Sequence, residues 1–413
     1  MTQPEAATTA AAVADAHRRE WAFVLAATVR VTRDLDLAEE CVQEAYAAAL
    51  TAWPADGVPR SPGAWLTTAA RRRALDLLRR HQTAQRALPL LVEDAVIAGP
   101  GDVEAPDVPD DRLRLVFTCC HPTLAVEAQV ALTLRLLCGL STAEVARAFL
   151  VPEPTMAARI TRAKKKIAGA RIPYREPGLE ELPERVRAVC EVVHLLFTTG
   201  HSAPAGEELV RVDLVTRALD LARMLRALLP RDPDVAGLLA LLLLTDARRA
   251  ARVGARGQLV LLPEQDRSRW DRVAITEGIG LVREALRARP SRYALLAAVA
   301  AVHDEAPSFE QTDWEEVVGL YDLLVQVWPS PVVALNRAVA VGFARGPAAG
   351  LVQLDVLADE PQLAAYPYRA VARGELLERL GRTAEARTAY GEALLLTENA
   401  VERESLARRL AAL

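Results

Sequence analysis

The sequence predicts an all-α protein built from several modules. Alanine, leucine and arginine, all good helix formers, dominate the 413 residues, whereas β-branched runs bounded by turn signals are scarce. The chain is 51% hydrophobic and 25% charged, a balance typical of globular rather than disordered proteins. A chain of this length exceeds one ordinary domain, so we expect roughly two to four modules.

The charge of the chain restricts where a nucleic acid could bind. The formal net charge is −4, so any nucleic-acid surface has to be a local patch. The three lysines of the sequence are consecutive, at positions 164–166, and arginine supplies every other cation. A GC-rich genome explains why lysine is rare, but it does not explain why the three lysines cluster.

Composition favours a cytoplasmic protein. Five cysteines in no disulfide-framework pattern indicate a reducing compartment. Residues 1–16 are small and polar without a basic-then-apolar signal, and we expect a flexible tail there. The longest apolar stretch, residues 235–244, is about half a membrane span, which favours a buried core helix and no membrane contact.

Residues 17–81 predict a compact helical unit with an acidic face. Asp36 is expected to cap a helix with Glu39 at its third position, in a capping-box arrangement. Five residues at helical spacing are expected to face inward: Leu35, Ala38, Val42, Ala45 and Ala49. The outer face is then formed by four polar residues: Glu39, Glu40, Gln43 and Glu44.

A basic helix and a linker follow. The helix comes after a loop at residues 54–63 that is broken by proline and glycine. It carries five arginines: Arg71, Arg72, Arg73, Arg79 and Arg80. Residues 82–110 are acidic, rich in proline and glycine, and without a sustained hydrophobic period, so we expect a linker between modules there.

Residues 111–172 predict a helix-turn-helix. A capping box of Ser141 and Glu144 begins a short helix, and Pro154 suits the first turn of the next helix. Four residues of that second helix form one buried stripe: Met156, Ile160, Ala163 and Ile167. Another face is basic and carries Thr155, Arg159, Arg162 and Lys166, flanked by Lys165. Such a motif lays its second helix in the major groove of DNA, unless the charged face is simply solvated.

The rest of the chain predicts further helices. Residues 173–290 are expected to be packed helices around one irregular loop at residues 254–272. Residues 291–413 contain two segments of about 34 residues that resemble tetratricopeptide repeats (TPR), with Tyr321 and Tyr390 at corresponding positions. A weaker third copy lies between them.

Two segments resemble one known family. "LDLAEECVQEAYAAALTAW", a loop and "WLTTAARRRALDLLRR" resemble region 2 of the sigma-70 family, and residues 111–170 resemble region 4. With its long tail, the chain resembles an extracytoplasmic-function (ECF) sigma factor with a C-terminal TPR-like extension. The resemblance implies two small helical DNA- and polymerase-binding domains joined by a linker, followed by the helical extension. It implies no enzymatic activity and no cofactor, because the polymerase does the chemistry.

The resemblance implies core RNA polymerase and promoter DNA as partners. Region 2 would bind the clamp helices of the β′ subunit, and region 4 would dock on the β flap. The residues expected at the clamp helices are those of the acidic face, whose charge suits a basic partner: Glu39, Glu40, Gln43 and Glu44. The alternative is that this face is an ordinary solvent-exposed surface.

Region 2 would also read and help to open the −10 element. Trp53, Arg60 and Trp65 map to the part that captures an unstacked base, although either tryptophan could be core, with Trp65 the stronger core candidate. The −10 DNA backbone would be lined by Arg71, Arg72, Arg73, Arg79 and Arg80.

Region 4 would read the −35 element with the second helix of its motif. Base reading is expected from Thr155, Arg159, Thr161 and Arg162. Ala158 can contact a thymine methyl group but cannot bond a base edge. Lys165 and Lys166 are expected to anchor the helix on phosphates, with Lys164 turned further away.

No catalytic or metal-binding constellation is recognisable in the sequence. Cys119, Cys120 and His121 have no CxxC partner nearby, so we expect buried small residues rather than a metal site, although Cys138 could approach in space.

Two alternatives stand beside the sigma-factor interpretation. One is a helix-turn-helix regulator with a TPR-like sensor that binds duplex DNA without polymerase. The other is a repeat scaffold with a solvated basic helix. Neither alternative explains why one segment resembles region 2 and a later segment resembles region 4 of the same family. In a sigma factor, the C-terminal extension is expected to act in cis or to bind a protein partner on its repeats.

Overall fold

The computed structural model describes residues 3–85, 111–149, 151–203, 205–288 and 290–413. Helices account for almost all of the regular structure in these ranges, which confirms the predicted all-α fold. The chain divides into two compact units, residues 1–192 (unit 1) and residues 193–413 (unit 2). Residues 86–110 of the predicted linker lie outside the described residues.

Unit 1 begins with three long helices and continues with shorter ones. Its helices are α1 (Gln3–Thr32), α2 (Leu35–Asp56), α3 (Pro62–Gln85), α4 (Arg112–Cys119), α5 (Val126–Leu132), α6 (Thr142–Ala148) and α7 (Glu153–Gly169). A π-helical turn, Thr133–Leu137, follows α5. Helix α8 (Leu182–His201) continues from unit 1 into unit 2.

The first three helices contact one another around an apolar core. The five α2 residues predicted to face inward are all buried, which confirms the helical period there. The expectation of a flexible tail at residues 1–16 is wrong for residues 3–16, because α1 begins at Gln3 and both Val13 and Ala16 are buried. Alanines, the best helix formers, continue the helix upstream and extend its apolar face.

Helix α2 is capped by a different residue from the one predicted. Asp34 accepts hydrogen bonds from the backbone N–H groups of Asp36 and Leu37, at 2.8 and 2.9 Å. Asp36 lies in the first turn instead, where a carboxylate is favoured by the helix dipole. Both aspartates precede the same apolar run, so local pattern does not distinguish them.

The helix-turn-helix forms as predicted. Ser141 accepts a hydrogen bond from the backbone N–H of Glu144, and the Glu144 carboxylate accepts one from the backbone N–H of Ser141, which completes the capping box of α6. Pro154 lies in the first turn of α7. The predicted stripe of α7 is buried: Met156, Ile160, Ala163 and Ile167.

Unit 2 consists of helices and one short strand pair. Its helices after α8 are α9 (Val212–Leu228), α10 (Pro233–Ala247), α11 (Arg249–Arg252), α12 (Arg272–Ala288), α13 (Arg292–Glu305), α14 (Trp314–Val327), α15 (Pro331–Ala344), α16 (Pro347–Asp355), α17 (Pro367–Arg379), α18 (Thr383–Leu396) and α19 (Ala400–Ala412). Turns of 3₁₀ helix lie at Leu262–Glu264, Arg267–Arg269 and Pro361–Leu363. Strand β1 (Ala205–Gly206) pairs in parallel with β2 (Glu398–Asn399), which ties the first loop of the unit to its last helix.

The longest apolar stretch of the sequence lies in α10 and is buried, as predicted. Gly237 on this helix passes so close to α13 that a Cβ would come within 2.7 Å of the Ala294 backbone nitrogen, so the contact requires glycine. Within the described ranges, no helix is both long and apolar enough to cross a membrane.

Helices α13 to α18 contact one another in sequence order, as stacked helix pairs do. Tyr321 in α14 and Tyr390 in α18 are both buried. That these helices are tetratricopeptide repeats stays a prediction.

The irregular loop at residues 254–272 caps a helix end. Arg267 donates to the carbonyl oxygens of His303 and Ala306, at 2.7 and 2.8 Å, where α13 ends. Its guanidinium also lies 4.3 Å from the ring centre of Trp270. A cation at a helix C-terminus satisfies carbonyls that the helix leaves free, so the loop has a structural role at the end of α13.

Candidate nucleic-acid interface

The outer face of α7 brings together the residues predicted to meet DNA. Six of the seven are exposed: Thr155, Ala158, Thr161, Arg162, Lys165 and Lys166. Arg159, the seventh, is half-buried because its guanidinium lies over the ring of Phe149, 5.5 Å from the ring centre. Because the apolar stripe fixes the orientation of α7, the helix presents these residues outward together.

Two cations on this face bond to backbone carbonyls of unit 1. Arg162 Nε donates to the carbonyl of Ala158, at 3.2 Å, along its own helix. Lys166 Nζ donates to the carbonyl of Thr123, in the loop before α5. Both cations therefore have an acceptor within the described residues.

Lys164 is separated from its two neighbours. Its side chain is only 11% exposed, and its Nζ donates to Asp36 Oδ1 and to Glu39 Oε2, both at 2.6 Å. Burial disfavours the charged amine, but the two carboxylates outweigh burial and raise the pKa of Lys164. Lys164 is therefore turned away from the basic face, as predicted.

Three of the four polar residues predicted on the outer face of α2 are accessible. Glu40 and Gln43 are exposed, and Glu44 is half-buried. Arg73 of α3 donates to Glu44 Oε1 at 2.9 Å, and this hydrogen bond raises the pKa of Arg73. One ion pair thus joins a residue predicted at the polymerase to a residue predicted at the −10 DNA.

Glu39, the fourth residue of that group, is not on an outer face, which corrects the sequence prediction. Only 6% of its side chain is exposed, and its carboxylate lies between the ammonium of Lys164 and the guanidinium of Arg135. Both cations come from the second half of unit 1. The period of α2 shows that Glu39 points away from its own core, but not that another part of the chain covers it.

The two tryptophans of the predicted −10 site lie together, with their ring centres 5.7 Å apart in an edge-to-face arrangement. Trp53, one of the two core candidates, is buried at 2% exposure, whereas Trp65, the stronger candidate, is only half-buried. The Trp53 indole N–H has no hydrogen-bond partner among the described residues.

The predicted −10 arginines differ in how freely they reach solvent. Arg60 lies in the exposed loop before α3, and Arg71 and Arg73 are half-buried. The more exposed arginines of α3 are Arg72, Arg79 and Arg80. An arginine row of this kind suits a phosphate backbone, whose contacts need charge but no sequence readout.

Sequence reasoning missed the residues that hold the two halves of unit 1 together. Trp21 Nε1 of α1 donates to the carbonyl of Leu136 at 3.1 Å, and the Tyr174 hydroxyl donates to the carbonyl of Ala26 at 2.9 Å. The one signal in the sequence is Arg135, a lone cation inside the apolar run at residues 130–138, since a buried cation requires a partner.

The Cys119–His121 segment shows no metal-binding geometry. In the described part of the chain, no group of three or more His, Cys, Asp or Glu side chains is arranged to hold a metal ion. Cys119 and Cys120 are buried, and the Cys120 sulfur lies 3.5 Å from the Thr133 hydroxyl. Burial raises the pKa of Cys120 to about 11, which keeps this thiol neutral at physiological pH.

Comparison with known families shows which class of protein the two halves of unit 1 resemble. Residues 17–84 match the model of Sigma-70 region 2, and residues 114–167 match the model of Sigma-70, region 4. Residues 185–286 match a family of unknown function, DUF6596, which includes the loop of Arg267. The chain belongs to the sigma-70 family, as an ECF-type sigma factor with a C-terminal extension. Proteins of this family bind core RNA polymerase and recognise promoters.

One relative is similar over nearly the whole chain. The uncharacterised protein R00370 of Rhizobium meliloti (strain 1021) is 45% identical over 384 residues, which cover 92% of this chain and 90% of the relative. The similarity therefore includes the C-terminal extension as well as the two sigma regions.

Proposed function

We propose that α2 docks on the clamp helices of the β′ subunit, that α3 and the loop before it engage the −10 element, and that α7 reads the −35 element while region 4 docks on the β flap. The observation that carries this proposal is the ordered pair of sigma-region matches, each of which contains an exposed surface of suitable charge.

On DNA, the outer face of α7 supplies base contacts and phosphate contacts from successive turns. Four residues come first along the helix and bond base edges: Thr155, Arg159, Thr161 and Arg162. Ala158 among them reaches only a methyl group. Lys165 and Lys166 follow, and their ammonium groups meet phosphates and fix the position of the helix.

In region 2, the residues that are exposed are the ones expected to contact polymerase or DNA. Glu40 and Gln43 are accessible to a basic helix of the polymerase. Half-buried Trp65 is better placed than Trp53 to stack on an unstacked base. Arg60 lies in the loop that precedes the helix of Trp65. The arginines of α3 then line the DNA backbone.

Unit 2 is proposed as a regulatory or partner-binding module. An open groove of about 510 Å³ lies on α14, α15 and α16, and Val325, Arg337 and Val356 are among its lining residues. Val356 is 80% exposed, so an apolar side chain of a partner could cover it. Because core RNA polymerase is the proposed partner of unit 1, we place the protein in the cytoplasm.

Run-off transcription with purified core polymerase tests the proposal. We expect transcripts from defined start sites only when the protein is added. Arg162→Ala should lower the transcript yield without changing the affinity for core polymerase, whereas Arg231→Ala, an exposed arginine of unit 2, should change neither. Binding to duplex DNA without polymerase, together with no transcripts from a promoter library, would instead support a conventional helix-turn-helix regulator.

A further inference from the structure

One carboxylate of the acidic face of α2, that of Glu39, is already paired within unit 1. Glu39 is the buried member of the residues proposed to bind the clamp helices, and its carboxylate forms ion pairs with Lys164 of α7 and with Arg135 of the π-helical turn. Asp36, one turn earlier on α2, bonds the same Lys164 at 2.6 Å. Region 4 therefore supplies to α2 the two cations that a basic partner helix would supply.

Three further contacts bring the two regions together. Trp21 in α1 is buried, and it bonds the carbonyl of Leu136 beside Arg135. Gly139 packs on the Trp21 ring so closely that a Cβ there would come within 3.0 Å of Trp21 Cγ. Arg30 of α1 forms an ion pair with buried Asp111 at 3.1 Å. The contact at Glu39 thus belongs to a packed interface.

This interface is incompatible with simultaneous reading of both promoter elements. The −10 and −35 elements lie about 25 base pairs apart, which is about 85 Å along B-DNA. In the structure, the side chain of Lys164 on the −35 helix touches α2 of region 2 directly. The two regions have to separate before one promoter can engage both.

The covalent connection permits that separation. Residues 86–110 join α3 to the segment before α4. At about 3.4 Å per residue, a chain of this length can span at most about 85 Å.

We propose that the structure is a closed state of the sigma factor, in which Lys164 and Arg135 of region 4 occupy Glu39 and so compete with core polymerase for the clamp-binding face. The competition presupposes the sigma function proposed above. The apparent dissociation constant for core polymerase then equals the intrinsic constant divided by the fraction of open molecules. Any change that weakens the internal contact should tighten polymerase binding.

Lys164→Met in the full chain tests the closed state. Methionine keeps the unbranched stem but removes the two charge-assisted hydrogen bonds, whereas Lys164→Arg keeps the charge. Arg187→Met is the control, because it removes an exposed cation of α8 that belongs to neither proposed interface. Affinity for core polymerase is measured without DNA, so that DNA contacts of α7 do not contribute.

The distance between the regions is measured in the same variants. Labels on cysteines introduced at exposed Thr51 in α2 and Ala168 in α7 report this distance, since the five native cysteines are buried. We expect Lys164→Met to lengthen the distance and to tighten core binding about tenfold. Lys164→Arg and Arg187→Met should behave like the unmodified protein.

Two outcomes would overturn the closed state. One is an unchanged affinity of Lys164→Met for core polymerase, and the other is an unchanged distance when core polymerase binds. Asp36→Asn weakens the same contact from α2, so a folding defect of one variant does not decide the result. If core polymerase binds none of the proteins, including Lys164→Met, the proposed sigma function itself is wrong.

Discussion

Three consecutive lysines take different positions because successive residues of a helix point about 100° apart. Lys164 lies against α2 with two carboxylates, whereas Lys165 and Lys166 lie on the solvent side. A run of identical cations is therefore divided between an internal contact and a surface available to DNA. The difference between Lys164 and Lys165 is one of burial, not of residue type.

Replacing both Lys165 and Lys166 with Ala should weaken binding to −35 DNA similarly for all sequences. Each lysine that meets a phosphate contributes about 0.9 to the slope of log K against log salt, so the slope should become shallower in the double variant. Titrations of duplex DNA at several salt concentrations check this. A change in which promoters are preferred would contradict the phosphate role of these lysines.

Glu40→Gln should weaken binding to core polymerase, because Glu40 is the exposed carboxylate beside the buried Glu39. The expected reduction in affinity is modest, about two- to fivefold, since a rim charge contributes less than about 1 kcal/mol. Equilibrium binding to core polymerase at low salt measures it. Glu404→Gln, an exposed carboxylate on α19, is the control; equal reductions in both variants would refute a local role for Glu40.

Single helices of this chain are specified by short-range signals. The capping box of α6 and the apolar stripe of α7 each involve residues within one to three turns of each other. Together they set where α7 begins and which face it buries. The exposed basic face follows from these two local features.

Ser141→Ala should lower the free energy of unfolding by about 1 kcal/mol, because the backbone N–H of Glu144 loses its acceptor at the start of α6. Ser141→Asp restores an acceptor and should recover most of the stability. Chemical denaturation of the full chain, followed by a probe in unit 1, measures both variants. Equal stability of the Ala variant and the unmodified protein would show that the cap contributes nothing.

Half-buried and buried titratable groups make the stability of the protein depend on pH. Burial, together with nearby arginines, lowers the pKa of His194 and of His303 from 6.5 to about 4. Between these values the unfolded chain binds more protons than the folded protein, so stability falls as pH decreases from about 6.5 to about 4. Burial raises the pKa of Asp304 to about 6, which acts in the opposite sense over part of this window.

His194→Gln should therefore flatten the acid side of the stability curve. The difference in unfolding free energy between pH 7.5 and pH 4 should shrink by up to about 3 kcal/mol. The contribution of Asp304 is present in both proteins and cancels in the comparison. Denaturation at a series of pH values tests this, and parallel curves for the two proteins would exclude His194 as a cause.

Removing unit 2 tests whether the extension regulates the sigma regions. The cut belongs after His201, at the end of α8, because Tyr174 and Arg185 bond carbonyls of unit 1 and a cut at residue 172 would remove them. We expect the shortened protein to differ from the full chain in transcript yield or promoter choice. Identical transcription from both would contradict a role in cis, provided that the shortened protein unfolds cooperatively.

Properties that depend on neighbours within a few turns could be predicted from the sequence. The all-α fold, the helix-turn-helix with its capping box, and the exposure of the basic face on α7 all follow from helical period and local capping. These features also carried the resemblance to the sigma-70 family.

Which helix faces meet depends on long-range packing and could not be predicted from the local pattern. Lys164 bonds residues 128 and 125 positions away, at Asp36 and Glu39, and these contacts bury a carboxylate that the helical period placed outside. The burial of Trp53 rather than Trp65 was likewise not evident from the local pattern. A helical period states which residues share a face, but the partner of that face is set by long-range packing, here of α7 and the Arg135 turn against α1 and α2.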